Sequence, residues 1–168
     1  VYFSKSLSGR FIFINSVSSL TSESRYVDLD ASRNEIHLIA ERVHNVLYSA
    51  HHKGNDQFLI TTNADGATNS KVMETKIDAS RSSWKDFMPY KQERTILGLV
   101  AFKTFTVIQG RQDGFSSIWI VPGHDPSLMY ELELGHRASV VNLGDNFEFA
   151  SDTVRIVYSS MITPPQTW

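Results

Sequence analysis

Three stretches of this chain repeat one another at a spacing of 47 residues, and that spacing constrains the fold more than any other feature of the sequence. The middle copy, residues 57–74, is an apolar run, an Asp65-Gly66 turn and a second short run. Residues 104–121 repeat this order with Asp113-Gly114 close to the corresponding place, and residues 10–29 precede it, so that Phe11, Phe58 and Phe105 fall in register. A weaker fourth copy occupies residues 153–160. A fixed period of roughly 40 to 50 residues, each unit built of short strands, is the pattern of a β-propeller blade array.

The first unit, residues 1–41, divides into strands at 1–8, 10–17, 22–30 and 35–40, separated by Ser-Gly, Ser-Ser and Asp-to-Asn stretches that favour reversal. A helical reading fails, because Phe11, Phe13, Tyr26 and Leu29 sustain no i, i+3, i+4, i+7 stripe. The second unit, 43–90, has strands at 46–53, 57–62, 70–77 and 84–87; the third, 95–135, at 96–102, 104–109, 116–121 and 128–134. The fourth, 140–168, supplies two strands, 140–143 extending toward 149 and 153–160, and Pro164 and Pro165 fall in the connection to a third strand that has barely begun at Trp168. The expected fold is all-β: a partial propeller of about three and a half four-stranded antiparallel blades. Phe11, Phe58 and Phe105 are expected in equivalent buried positions.

At 168 residues the chain is long enough for one well-packed domain. Sixteen basic and eighteen acidic residues, with no block of like charge, argue against a nucleic-acid or anionic-membrane partner. There is no cysteine, hence no disulfide framework or thiolate zinc site, and no Asn-x-Ser/Thr acceptor. The longest apolar stretch, residues 96–102, falls well short of the roughly 20 residues of a membrane span. These features fit a cytoplasmic protein. The chain starts at Val1 inside a strand-like run and ends at Trp168 just after a turn, which reads as an excerpt of a longer protein.

The chemistry-bearing residues are few. His51 and His52 are adjacent on a strand and point to opposite faces, so they suit a hydrogen-bonded polar position better than one metal ion. Glu131 and Glu133 share a strand face, a spacing open to paired-carboxylate chemistry, but alternating charge on an outermost strand is the pattern of a solvated face. Asp65-Gly66 and Asp113-Gly114 lack the acidic series of a calcium loop and match a primed hairpin turn. Arg25 and Arg111, each read as following a hairpin strand, offer charge to an acidic partner, but isolated arginines at blade edges are ordinary. No Gly-x-Ser-x-Gly elbow, Walker loop, Gly-x-Gly-x-x-Gly or His-Glu-x-x-His occurs. No residue is assigned as catalytic, cofactor-binding or metal-ligating, and no cofactor is expected.

Residues 21–30 (TSESRYVDLD), 62–69 (TNADGATN), 84–90 (WKDFMPY) and 155–164 (RIVYSSMITP) carry a resemblance to the prolyl oligopeptidase family of serine peptidases. The resemblance extends over nearly the whole chain, in the family's order and spacing. Ser24 stands where a valine is expected, and Phe115-Ser-Ser117 replaces a leucine, a threonine and a basic residue. The resemblance implies a seven-bladed propeller capping an α/β-hydrolase domain, with this chain forming blades four to six and the first half of the seventh. It implies a parent enzyme that cleaves short peptides after Arg or Lys with a Ser, Asp, His triad, the propeller limiting access. No triad member maps onto this chain, and the acids that hold the basic side chain belong to the catalytic domain, which the chain does not contain. Implied partners are basic-residue-containing peptides and that catalytic domain, with innermost strands 1–8, 46–53, 96–102 and 140–149 lining the central cavity. Self-association through uncovered blade faces and edges is also expected. The alternative is an interaction-only propeller scaffold.

Overall fold

The computed structural model describes residues 1–135 and 139–168, and its strands form four antiparallel sheets, each running in simple sequence order. The first sheet is β1 (Tyr2–Lys5), β2 (Phe11–Val17), β3 (Ser22–Asp28) and β4 (His37–Leu38). The second is β5 (Tyr48–Gly54), β6 (Gln57–Thr62), β7 (Lys71–Lys76) and β8 (Lys85–Met88). The third is β9 (Arg94–Ala101), β10 (Phe105–Gln112), β11 (Phe115–Pro122) and β12 (Tyr130–Glu131), and the fourth is β13 (Ser139–Leu143), β14 (Ile156–Ser160) and β15 (Gln166–Thr167). This is the all-β partial propeller that the repeat implies.

The differences from expectation have local causes. Residues 126–128 form a 3-10 turn, started by Pro126 and by the Asp125 side chain accepting from Ser127 N at 2.9 Å, so the strand expected over 128–134 shrinks to β12. The third strand of the fourth sheet, expected only from Trp168, already forms at Gln166–Thr167, which pairs with Tyr158 and Val157 beyond the prolines. β13 stops at Leu143 instead of running toward 149: Asn146 donates to Gly144 O (2.8 Å) and Arg155 O (3.0 Å), which turns the chain out of the sheet. Asp113 and Gly114, at φ 51° and 84°, make the expected two-residue turn between β10 and β11. Asp65 and Gly66 adopt the same backbone, closed by Ala67 N to Ala64 O at 3.2 Å, but lie inside the longer loop 63–70.

The core lies between the sheets as three apolar clusters, one per interface. Phe11, Phe13 and Tyr26 of the first sheet meet Phe58 and Ile60 of the second. Leu59 and Val72 of the second meet Leu99 and Ile108 of the third, and Val107 and Ile118 of the third meet Val141 and Ile156 of the fourth. This placement corrects the reading of the three phenylalanines. Side chains alternate faces along a strand, and the burial patterns of β6 and β10 align at a spacing of 48, so a spacing of 47 falls one residue short and lands on the opposite face. Phe11 and Phe58 are therefore not equivalents but partners across one interface, with ring centroids 5.2 Å apart at 77°, both essentially fully buried. Phe105 faces the third interface and is only partly buried, stacked on Phe102 at 4.5 Å. In that alignment Phe58 corresponds to Thr106 and Ile60 to Ile108.

One glycine is dictated by packing. A Cβ on Gly110 would sit 2.1 Å from Thr95 O and 2.8 Å from the Trp119 ring. The pairing of β9 with β10 shifts there, passing from Gly98 opposite Gln109 to Ile96 opposite Gly110, and Leu97 is left as the exposed bulge residue.

Candidate functional site

The inner strands β1, β5 and β9 of the first three sheets surround a concavity of about 710 Å³. Its walls include Lys5 and Asn15 from the first sheet, Ser49 and His51 from the second and Val100 from the third. The fourth contribution comes from Phe147, in the connection between β13 and β14, rather than from β13. The wall is thus mixed, with Lys5 as its one lysine beside apolar side chains that include Tyr2, Phe13, Leu99 and Phe147.

His51 and His52 separate as strand alternation requires. His51 is half-buried in the concavity wall, and desolvation pushes its imidazole down to about 4. His52 turns toward the first sheet, where Phe11 meets its ring edge-on at 4.8 Å and Phe149 stacks on it at 6.2 Å. Its Nε2 lies 2.9 Å from Asn55 O, which can only accept, so Nε2 carries the proton and Nδ1 accepts from Ser8 Oγ at 2.6 Å. Ser8 Oγ then accepts from Ser6 Oγ (2.9 Å), which accepts from Phe11 N (3.0 Å). Every member of this one-way chain has its partner inside the fold, and burial, the largest influence, keeps the imidazole neutral by holding its pKa below the usual value. The serine-histidine proximity is therefore an inter-sheet clip.

Charge supports the same junction. Arg10 grips Asp28 through Nε (3.1 and 3.2 Å) and Nη2 (2.7 Å), and reaches Asp56 of the second sheet at 3.0 Å. The hydrogen bonds from Arg10 hold the Asp28 carboxyl below the ordinary carboxylate range. Tyr26 donates to Asp78, and burial together with that carboxylate raises its phenol pKa. Within the second sheet, away from that junction, Lys71 bridges Asp65 (3.2 Å) and Asp86 (3.1 Å); burial opposes its charge, but the two carboxylates outweigh it and its pKa is raised.

The remaining candidates stay apart. Glu131 and Glu133 are both exposed, as a solvated face requires, and only Glu131 lies in β12. Arg25 lies within β3, not after it, and pairs with Glu23 at 3.0 Å; Arg111 lies exposed within β10. Among the described residues no three His, Asp or Glu side chains converge as a metal site, and no helix is long and apolar enough to cross a membrane. Sequence reasoning missed the role of Ser8 in the clip, while Phe147 falls within the 140–149 stretch expected to line the cavity and reaches it from a connection instead of a strand. The signal for Phe147 was present: two aromatics two residues apart, Phe147 and Phe149, in an otherwise polar connection.

An array of meandering antiparallel sheets with inner strands around a concavity is the architecture of a β-propeller domain. Residues 1–168 match the family described as prolyl oligopeptidase, N-terminal beta-propeller domain, and the chain belongs to that family. It is 32% identical to Protease 2 of Moraxella lacunata over 100% of this chain and 24% of that protein, and 33% identical to Dipeptidyl aminopeptidase BI of Pseudoxanthomonas mexicana over 98% and 22%. Among solved structures it resembles Oligopeptidase B from Trypanosoma brucei with covalently bound antipain, closed form, with TM-score 0.88 and 28% identity over 99% of this chain and 25% of that one. The chain therefore spans about a quarter of the length of these relatives.

Proposed function

We propose that this chain is a non-catalytic part of the propeller of a serine oligopeptidase, limiting which peptides reach an active site that lies in a separate α/β-hydrolase domain and cleaves after Arg or Lys. The observation that carries the reading is the concavity on β1, β5 and β9, together with family membership. Acyl transfer needs a nucleophile, a base and oxyanion donors within hydrogen-bond reach. The serine-histidine contact described above is consumed as a clip between sheets. The partners under this reading are short peptides bearing basic residues and the enzyme's own catalytic domain.

The test is to treat the 168-residue chain and the full-length protein in parallel with an Arg-containing reporter peptide and a serine-reactive phosphonate. The chain alone is expected to stay unlabelled and inert, and the full-length protein to be labelled and active. Stoichiometric labelling of the isolated chain with turnover would contradict the assignment. On its own the chain also presents Tyr2, Phe3 and Leu38 to solvent, so we expect it to self-associate as its concentration rises, measured by light scattering.

A further inference from the structure

Residues 144–155, which join β13 to β14, do not return directly to their own sheet. They cross toward the third and second: Phe149 O accepts from Lys103 N, in the β9–β10 turn of the third sheet, at 2.8 Å, and the Phe149 ring stacks on His52 of the second at an interplanar angle of 17°. At the other end Asn146 holds Gly144 and Arg155 through its amide, accepting from Arg155 N at 2.8 Å. Phe147 lies between these anchors and is nonetheless 79% exposed. An aromatic ring kept in water on backbone fixed from both sides is preorganised for contact, and little ordering remains to be done when something meets it.

Phe147 is a common wall of the inner concavity and of a second concavity of about 380 Å³. Phe102 and Trp168 also line the second one, with the acids Asp145 and Glu148. Arg155 is in the same wall, but its Nη1 donates to the carbonyl oxygen of Asp145 at 3.1 Å. Among the described residues neither carboxylate carries an ion pair. Aromatic faces attract cations within about 6 Å of the ring, carboxylates accept charge-assisted bonds from guanidinium or ammonium groups, and both repel an acidic side chain.

We propose that this second concavity is a subsite for the cationic side chain, Arg or Lys, of a peptide at the margin of the inner concavity. The inference deepens the access reading and rests on it for the arrival of peptides; the binding itself rests on these walls. Discrimination by exposed carboxylates weakens with salt, so it is greatest at low ionic strength.

The experiment titrates the 168-residue chain at low salt with acetyl-Gly-Arg-Gly-amide and with the same peptide carrying neutral citrulline in place of arginine. Binding is followed by the indole N–H signal of Trp168, assigned through Trp168→Phe, and by calorimetry as an independent readout. The arginine peptide is expected to bind about tenfold more tightly than the citrulline peptide, the size of one charge-assisted contact. The isosteric double variant Asp145→Asn/Glu148→Gln should erase that ratio, and Phe147→Ala should weaken the arginine peptide a few-fold. Equal affinity for the two peptides, no binding of either, or a ratio that survives in the double variant would overturn the subsite. Hydrolysis is not involved, so a ratio that holds while entry into the full-length protein proves insensitive to the concavity upholds the subsite and counts only against the access reading.

Discussion

The interface between the first two sheets and that between the last two do the same job with different chemistry. The first is aromatic and charged: Phe11, Phe13, Tyr26 and Phe58 meet mostly edge to face at 5.2 to 5.7 Å, under the Arg10–Asp28–Asp56 network and the His52 clip. The last is largely aliphatic, built on Val107, Ile118, Val141 and Ile156. Its described polar links are the Gln109 amide, bonded to Asn142 (2.9 Å) and Leu143 N (3.0 Å), and the Lys103–Phe149 backbone bond. Propeller packing thus demands that the correct faces meet, and leaves open how they adhere. Edge-to-face rings and charge pairs fix an orientation, whereas aliphatic surfaces tolerate volume-conserving exchange.

The largest expected consequence is at the aromatic junction. Phe58→Ala should cost about 3–5 kcal/mol in urea unfolding, while Ile118→Val at the aliphatic junction should cost about 1 kcal/mol. Comparable costs for Phe58→Ala and Ile118→Val would erase the distinction. Next comes Gly110→Ala, expected to cost about 1–3 kcal/mol because its Cβ meets backbone that cannot yield; a neutral result would show that the β9 bulge relaxes. Arg10→Ala should lose about 1–2 kcal/mol, and the loss should shrink in the Asp28→Asn background, since the two act as one unit.

The smallest effect is that of pH. His51 and His52 both have folded pKa values below the ordinary histidine value near 6.5, so the folded state prefers them neutral. Their contribution is fully present above about 6.5 and is lost as pH falls, for His51 toward about 4. His52→Gln should flatten the acid limb of stability against pH, measured by urea midpoints; an unchanged limb would remove the clip from the account.

Much of the fold was legible because strand content, turn chemistry and the repeat agree. Asp113-Gly114 was readable, since both turn residues need positive φ and Asp-Gly supplies it. The pairing of Phe11 with Phe58 was not, because matching aromatic letters at a spacing of 47 look like register, whereas the burial patterns of β6 and β10 align one residue further on. The Leu97 bulge was hidden for a similar reason: its cause is Gly110 on the neighbouring strand. Of the candidate site, the alternation of His51 and His52 followed from the strand period. Ser8 and Phe149 reach His52 from other sheets, a placement no local pattern encodes.

The most direct measurement of the access role uses the full-length protein with Ser49→Trp, which narrows the concavity from the wall of β5. Hydrolysis of a long Arg-containing peptide and of a short Arg reporter is compared by kcat/KM before and after the substitution. The account predicts a selective fall for the long peptide, with the short reporter and phosphonate labelling unchanged. Equal effects on both peptides, or none on either, would contradict it.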